Sequence, residues 1–331
     1  MKLRFVILFL LCLLASKAFA EAPSLMRQTA VIDLPKVDGR FDHFAVDVAG
    51  KRLFLAALGN NSLEVIDIAN NKRLQSIPNL KKPTGAAYIP EIDRLVVASG
   101  DDGMCRFFDG NPLKLVGEIK DLDDADNVRY DAAGKKIYLG YGSGALAVID
   151  PVKMQKVGDI KLEAHPESFQ IEKDGKRIFV NLPDAHQIAV VDRDKGAVIG
   201  KWSLKDPSAN FPMALDEAHK RIFVGCRRPA RLVVLDMDSG RQVAKVECVG
   251  DTDDLFYDAA QRRIYISGGE GAITILHQLD ADHYQPLETP KTAAGARTSF
   301  FSSDLGAMYL AVPRRGGQNA QVRVYSSQAV Q

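Results

Sequence analysis

Short apolar runs separated by polar turns recur along the whole chain, and most of the runs are rich in β-branched and aromatic residues. Gly, Asn, Asp and Pro bound the runs, and no helical period is sustained for three turns. This alternation is typical of β-strands joined by turns. One phrase stands out: a basic residue, an aliphatic residue, an aromatic residue or valine, and another aliphatic residue. Its copies occupy residues 52–55, 94–97, 136–139, 177–180, 221–224, 263–266 and, in degraded form, 307–310.

A second phrase follows each copy of the first by about one strand and a turn. It reads Val-Ile-Asp or a close variant at residues 65–67, 107–109, 148–150, 190–192 and 234–236, while the copies at 275–277 and 324–326 lack the Asp. Successive copies of the first phrase are separated by 41 to 44 residues. A period of about 40 residues with four strands per repeat is the pattern of a β-propeller. The sequence therefore predicts an all-β fold, a seven-bladed β-propeller of four-stranded blades.

The last repeat lacks one strand, and the N-terminal end of the chain has one strand to spare. The seventh copy stops after its third strand, whereas residues 28–34 form a strand phrase before the first complete blade. An open ring would expose an unpaired strand edge. We therefore expect the N-terminal strand to complete the last blade, within one propeller domain that spans residues 21–331.

These repeats resemble those of YVTN-type β-propellers. The copies at 65–67, 148–150 and 190–192 are each followed by a few polar residues and a hydrophobic outer strand, at Arg73-Leu74, Lys156-Val157 and Val198-Ile199. The resemblance covers residues 28–327 and implies the propeller fold. It leaves the function open, because similar propellers serve as binding proteins, lactonases and quinoprotein subunits, and a fold does not assign chemistry.

The first 20 residues have the features of a secretory signal peptide. Lys2 and Arg4 precede an apolar run over residues 5–14, and an Ala-x-Ala cleavage site follows at residues 18–20. The run is shorter than the roughly 20 residues that span a bilayer. We expect cleavage before Glu21, a periplasmic or secreted location, and no membrane span in the mature chain.

Charge and cysteine content narrow the possible partners. Removal of the leader leaves 40 Lys and Arg against 42 Asp and Glu, a net charge of −2. This balance gives no support to a nucleic-acid partner, and we expect a monomer. The three cysteines of the mature chain have no Cys-x-x-Cys spacing, so neither a disulfide framework nor a structural zinc site is expected.

Candidate functional residues follow from the repeat register. The loops that lead into the innermost strands meet at one mouth of the central channel, where rigid blades fix them. Unlike the strand phrases, the residues at these positions are diverse, polar and charged. Two rim positions per blade are found by counting back from the second residue of each copy of the first phrase. Ten residues back lie His43, Gly85, Asn127, Ser168, Pro212, Asp254 and Thr298. Eleven residues back lie Asp42, Thr84, Asp126, Glu167, Phe211, Asp253 and Arg297.

Arginines add a second feature to this mouth. Arg227 and Arg228 interrupt blade five, and Arg314 and Arg315 interrupt blade seven. With Arg297 they form either an anion-binding rim, since guanidinium groups bind carboxylate or phosphate in two-point contacts, or solvated loops that answer nearby acidic residues.

Arg129 lies two residues inside the rim, in an otherwise apolar inner strand. A buried arginine needs a partner. Glu167 or Asp126 is the expected partner, and a role in ligand contact is the alternative.

Metal binding is a further alternative at the mouth, although no metal and no other cofactor is the primary expectation. His43, His165, Glu167, Asp253 and Asp254 are the candidate ligands. A calcium-dependent lactonase would instead use Glu167, Asn127 and Asp254. No short-range metal motif is present, and the acidic run over residues 121–126 is expected to be a solvated loop.

No catalytic motif points to an enzyme. The chain lacks a Gly-x-Ser-x-Gly elbow, a phosphate-binding loop and a Cys-x-x-Cys-His haem motif. The leading hypothesis is an exported binding module that presents a polar channel mouth to a small molecule or a protein partner. The alternatives are a metal-assisted hydrolase or lactonase at the same mouth, and an accessory subunit of a periplasmic redox enzyme.

Overall fold

Seven four-stranded antiparallel sheets make up the protein, which confirms the predicted seven-bladed β-propeller. The computed structural model describes residues 24–204 and 206–327. The innermost strands of successive blades contact one another around the channel, and the first and last of these strands also meet. Two single 3-10 turns, Leu58–Asn60 and Pro90–Ile92, are the only helical elements in the described ranges. Neither of them is long and apolar enough to cross a membrane.

Each of the first six blades uses four consecutive strands, ordered from the channel outwards. Blade one comprises β2 (Phe44–Asp47), β3 (Arg52–Ala57), β4 (Ser62–Asp67) and β5 (Lys72–Pro78), and blade two comprises β6 (Pro83–Ile89), β7 (Arg94–Ser99), β8 (Met104–Asp109) and β9 (Lys114–Ile119). Blade three comprises β10 (Val128–Asp131), β11 (Lys136–Tyr141), β12 (Ala145–Asp150) and β13 (Gln155–Lys161), and blade four comprises β14 (Phe169–Ile171), β15 (Arg177–Leu182), β16 (Gln187–Asp192) and β17 (Ala197–Ser203).

The remaining strands follow the same order until the chain ends meet. Blade five comprises β18 (Ser208–Asp216), β19 (Arg221–Arg228), β20 (Ala230–Asp236) and β21 (Gln242–Glu247), and blade six comprises β22 (Thr252–Asp258), β23 (Arg263–Gly268), β24 (Ala272–Gln278) and β25 (Tyr284–Glu288). Blade seven comprises β26 (Ser299–Ser302), β27 (Ala307–Val312), β28 (Ala320–Ser327) and the N-terminal strand β1 (Met26–Leu34).

Burial explains why the strand phrases repeat. All six residues of β3 are buried, because a middle strand has a neighbouring blade on each of its faces. The outer strand β5 instead alternates between exposed and half-buried residues, because only one of its faces meets the protein. The near-continuous apolar phrases are therefore the second and third strands of the blades.

The charged ends of the two phrases interact with each other. The basic residue that opens the second strand lies opposite the Asp that closes the third strand, as in Arg94 and Asp109, whose side chains form an ion pair of 2.7 Å. Arg94 also donates a hydrogen bond to the carbonyl oxygen of Pro151 in the next blade. The repeated basic residue thus links strands within a blade and blades to each other.

The N-terminal strand closes the ring as expected. β1 pairs antiparallel with β28, with Ile32 opposite Val322 and Leu34 opposite Ala320. The side chains of Ile32 and Leu34 are buried in the core that blade seven shares with blade one. The predicted signal peptide, residues 1–20, lies outside the described residues.

The three cysteines of the described chain are free thiols, with Cys105 and Cys226 buried and Cys248 half-buried. Burial raises the pKa of each thiol to about 12. Such thiols are poor nucleophiles and poor metal ligands at neutral pH.

Candidate functional site at the channel mouth

Backbone hydrogen bonds extend each inner strand towards the mouth and fix the rim residues. The Asp42 N–H group donates to the carbonyl of Ala56, and the Ala56 N–H group donates back to the carbonyl of His43. The same pair of bonds holds Asp126 and Asn127 through Gly140, and Glu167 and Ser168 through Asn181. Rim side chains from different blades are therefore held in one structural layer.

Gly85 shows how closely neighbouring rim segments approach. A Cβ atom at this position would lie 2.1 Å from the carbonyl oxygen of Asp126 in the next blade. The absence of a side chain lets the backbone of blade three, which carries Asp126, pack directly against blade two.

A cavity of about 300 Å³ occupies the mouth, and all seven blades contribute to its wall. Most of the lining side chains are charged or polar. They are Arg40, Asp42, His43, Leu58, Lys82, Thr84, Asp124, Asp126, Asn127, His165, Glu167, Ser168, Phe211, Arg227, Asp253 and Arg297.

The side of the cavity formed by blades five to seven is an arginine–aspartate network. Arg227 lies 2.5 Å from Asp253, and its guanidinium group stacks on the ring of Phe211 at 3.6 Å. Arg297 lies 2.8 Å from Asp251 and 3.2 Å from Asp253. The guanidinium groups of Arg227 and Arg297 are thus already paired with acidic residues.

The side formed by blades one, three and four combines histidines with carboxylates. His43 lies 3.5 Å from Asp42 through Nε2 and 3.6 Å from Asp254 through Nδ1. His165 lies 3.8 Å from Asp126 through Nε2. These five side chains are each only partly exposed, so their charges interact more strongly than on an open surface.

The pKa values on this side show how the charges are balanced. Burial disfavours the charged imidazole of His43, but the carboxylates of Asp254 and Asp42 outweigh burial and raise the pKa to about 10. The carboxylate of Asp126 raises the pKa of His165 to about 9. Burial, and then the charge of Asp126, raise the pKa of Glu167 to about 7. Burial also raises the pKa of Asp42 well above its ordinary value. The carboxylates therefore carry more negative charge than their surroundings accommodate easily.

Two overlapping groups on this side have the composition of a metal site. Asp42, His43 and Asp126 form one group, and Asp126, His165 and Glu167 form the other, with the ligand atoms of each group within 4.8 Å of one another. Asp254 belongs to neither group. Its carboxylate faces His43 and accepts the N–H group of Ser299 at 2.7 Å.

The expected partner of Arg129 is wrong. No carboxylate in residues 24–204 or 206–327 lies within 4 Å of its guanidinium group, which donates to the carbonyl of Val128 at 2.9 Å and lies over the ring of Phe169 at 5.8 Å. Burial lowers the pKa of Arg129 despite the charges of Asp254 and Asp126. The side chain lines the deeper channel, where it forms no direct ion pair with Glu167 or Asp126 and Asp126 acts on it only through its charge at longer range.

The structure separates the sequence-predicted candidates into three sets. Asp42, His43, Asn127, Glu167, Arg297 and Arg227 line the mouth cavity. Arg129 and Asp254 line the deeper channel, a wider space of about 650 Å³ that also carries aromatic side chains. The remaining arginines stay outside both: Arg228 and Arg315 are exposed, and Arg314 pairs with Asp38 at 2.9 Å.

Four charged or titratable residues of the cavity lie outside the predicted rim positions, although His165 was named from the sequence as a candidate metal ligand. Arg40, Lys82, Asp124 and His165 each lie two positions before a rim residue, on the same side of an extended chain. The repeat register extended outwards by two positions finds all four. Asp124 and Asp126 also show that the acidic run over residues 121–126 is not only a solvated loop.

Comparison with known proteins supports the fold. A scan against protein-family models and a search of curated proteins found no match. A chain in the solved structure "Kuenenia stuttgartiensis Hydrazine Synthase" has a TM-score of 0.75 and 19% identity, over 83% of this chain and 93% of that chain. A chain in "Crystal Structure of Mitotic Checkpoint Complex" has a TM-score of 0.76 and 12% identity, over 98% of this chain and 99% of that chain. The protein is a seven-bladed β-propeller. At these identities the likeness extends to the fold alone.

Proposed function

We propose that the protein is an exported binding module that holds a small polar ligand in its channel mouth. The observation that carries this proposal is the convergence of polar and charged side chains from all seven blades on one cavity of about 300 Å³. A concavity with converging polar groups is the usual form of a ligand site, and this volume lies at the small end of the range for such sites.

A protein partner at the same face is the alternative form of this function. Propellers commonly bind other proteins, and one of the similar chains belongs to a mitotic checkpoint complex. The YVTN-type resemblance fits either ligand class. The concave, polar cavity of about 300 Å³ favours a small molecule, because a flat protein surface would not fill it.

Thermal shift against a panel of small organic molecules and divalent cations tests the proposal. A ligand at 100 times its Kd stabilises the folded state by about 2.7 kcal/mol. We expect at least one compound to raise the melting temperature of the native chain but not that of Glu167→Gln. The control is Asp304→Asn, which makes the same carboxyl-to-amide substitution in the wider channel space, away from the mouth cavity.

Two results would contradict the proposal. One is a panel in which no compound and no ion shifts the melting temperature. The other is a shift that persists undiminished in the Glu167→Gln variant.

Export is part of the proposal and rests on the N-terminal residues alone. The mass of the intact protein from its own source should correspond to a chain that begins at Glu21. A mass that includes Met1 would contradict cleavage.

Metal-assisted hydrolysis is the second candidate function, and the two histidine–carboxylate groups favour it. A bound metal ion would supply an activated water for such a reaction. Hydrolysis of simple lactones that depends on an added divalent cation and disappears with a chelator would support this candidate over pure binding.

A further inference from the structure

The orientation of His165 is fixed through one ring nitrogen, while its other nitrogen faces a carboxylate. Nδ1 lies 2.6 Å from the carbonyl oxygen of Gly142. A carbonyl oxygen can only accept a hydrogen bond, so Nδ1 carries a proton. Nε2 then faces the carboxylate of Asp126 at 3.8 Å, which is too long for a direct hydrogen bond. A histidine that donates one N–H group to a carbonyl and offers its other nitrogen is the usual arrangement of a metal ligand.

Carboxylates complete this side of the cavity. The ligand atoms of Asp126, His165 and Glu167 lie within 4.8 Å of one another. In tetrahedral zinc coordination, with bonds of about 2.0–2.2 Å, the ligand atoms lie about 3.3–3.6 Å apart. Side-chain movements of about 1 Å would therefore bring all three atoms to one ion.

A neighbouring rim residue, Asn127, has an unsatisfied side-chain oxygen. The side chain of Asn127 is 1% exposed and lines the same cavity. Its Oδ1 atom has no hydrogen-bond partner among the described residues. A buried amide oxygen left without a partner is costly, and a cation is one of the groups that satisfies it.

The two histidines at the mouth differ in how their rings are held. Both nitrogens of His43 face carboxylates, Asp42 at 3.5 Å and Asp254 at 3.6 Å. Both nitrogens of His165 also face carboxylates, Asp124 at 3.7 Å and Asp126 at 3.8 Å, but its Nδ1 in addition donates to the Gly142 carbonyl at 2.6 Å. This short bond fixes the orientation of the His165 ring and turns Nε2 towards Asp126.

We propose that Asp126, His165 and Glu167 bind a divalent first-row transition metal ion of the zinc type at the channel mouth. Imidazole nitrogen with carboxylate oxygen suits zinc and its neighbours, whereas calcium and magnesium prefer oxygen ligands alone. The proposal rests on the binding role proposed above for the mouth, and it names the class of ligand. It differs from the calcium set of Glu167, Asn127 and Asp254 in its use of a histidine.

Isothermal titration of the chelator-treated full chain with zinc chloride tests the proposal. We expect one zinc ion per chain and much weaker binding of calcium in a parallel titration. His165→Asn and Glu167→Gln should each weaken zinc binding by about 100-fold or more, because even residues that only support a ligand change affinity about 10–100-fold. His283→Asn is the matched control, since His283 is also a histidine beside an aspartate, Asp280, but lies on the exposed surface.

A measurement on the unaltered protein covers the case in which a variant does not fold. Zinc should protect His165 from modification by diethyl pyrocarbonate, as mapped by mass spectrometry of peptides. His283 should be modified to the same extent with and without zinc. Unchanged modification of His165 in saturating zinc would overturn the proposal.

Three titration results would also overturn it: no zinc binding, calcium binding that is tighter than zinc binding, or zinc binding unaffected by both substitutions at the site. The outcomes distinguish failure of the proposed metal site from failure of the proposed binding function. If zinc does not bind but an organic compound stabilises the protein through Glu167, the metal site fails while the binding function stands. If neither binds, both fail.

Discussion

At the scale of single residues, the charged side chains in the channel differ in whether they have a partner of opposite charge. Arg129 is the clearest case. Its guanidinium group is half-buried, makes no ion pair within 4 Å among the described residues, and has a pKa lowered by burial. Arg52 has the opposite environment, because its buried guanidinium group pairs with Asp47 and Asp93, each at 2.8 Å. Loss of a charge should therefore have opposite effects at these two arginines.

We predict that Arg129→Met leaves the free energy of unfolding unchanged or raises it by about 1 kcal/mol, because the desolvated charge disappears while an apolar stem remains against Phe169. Arg52→Met should lower it by about 3 kcal/mol, because it leaves buried Asp47 without its cation. Urea denaturation of the two variants provides the measurement. Equal losses would show that Arg129 has a structural partner after all.

Gly85 provides a second prediction at this scale. Gly85→Ala would place a methyl group 2.1 Å from the Asp126 carbonyl, so we expect a loss of about 1–3 kcal/mol from overpacking. Gly158→Ala is the control, since no atom lies within 4 Å of its added Cβ, and it should change stability by no more than about 0.5 kcal/mol. Similar melting temperatures for the two variants would show that the rim segments can move apart.

At the scale of strands and turns, the repeated Asp of the second phrase has two functions. It lies opposite the repeated basic residue, and its carboxylate accepts N–H groups of the turn that follows. Asp67 accepts those of Ala69 and Asn70, at 2.9 and 3.0 Å. The same turn follows the Asp in blades three, four and five. The phrase thus ends in Asp because its side chain begins the turn to the outer strand.

These turns predict a specific acid sensitivity. Hydrogen bonds, led by those from Asn70 to Asp67, from Lys153 to Asp150, from Lys195 to Asp192 and from Ser239 to Asp236, lower the pKa of each carboxyl group. A folded-state pKa below the unfolded value of about 3.9 gives stability that is complete above that pH and is lost as the pH falls through the folded pKa.

Replacement of these four Asp residues by Asn should flatten the loss of stability between pH 5 and pH 2, because an amide oxygen accepts the same N–H groups at any pH. Urea midpoints of the native and fourfold-substituted chains across this range test the prediction. Parallel acid profiles would place the acid sensitivity elsewhere.

The strands and the rim positions could be predicted from the sequence because both follow the repeat register. Seven rim residues, one per blade, all line the cavity, because one backbone geometry recurs in every blade. They are Asp42, Thr84, Asp126, Glu167, Phe211, Asp253 and Arg297. Pairings such as that of Arg314 with Asp38 could not be predicted, because they depend on loop paths that do not repeat. The partner expected for Arg129 was wrong for a related reason. The position of a residue in the repeat predicts how deep in the channel its backbone lies, but it does not predict in which direction a long side chain extends.

At the scale of the whole molecule, the ring depends on one strand that comes from the other end of the chain. β1 contributes the outer strand of blade seven, and its contact with β28 joins residues almost 300 positions apart. The side chains of Ile32 and Leu34 in this strand are buried, and buried apolar side chains contribute more to stability than exchanged hydrogen bonds do. The stability of the closed ring should therefore depend on the buried side chains of β1 more than on its hydrogen bonds alone.

The last prediction tests this closure with two adjacent residues of β1. Ile32 is 1% exposed in the core between blades seven and one, whereas Val31 is 42% exposed on the outer face. Ile32→Ala should lower the free energy of unfolding by about 2–5 kcal/mol through lost burial and the cavity left behind. Val31→Ala should change it by no more than about 0.5 kcal/mol. Both variants retain the backbone pairing with β28, so a large difference in their urea midpoints would assign the stability of the closure to core packing. Equal, small effects would instead assign the closure to the backbone pairing of β1 with β28. A chain lacking residues 21–35 that melts like the native protein would show that blade seven holds without the N-terminal strand.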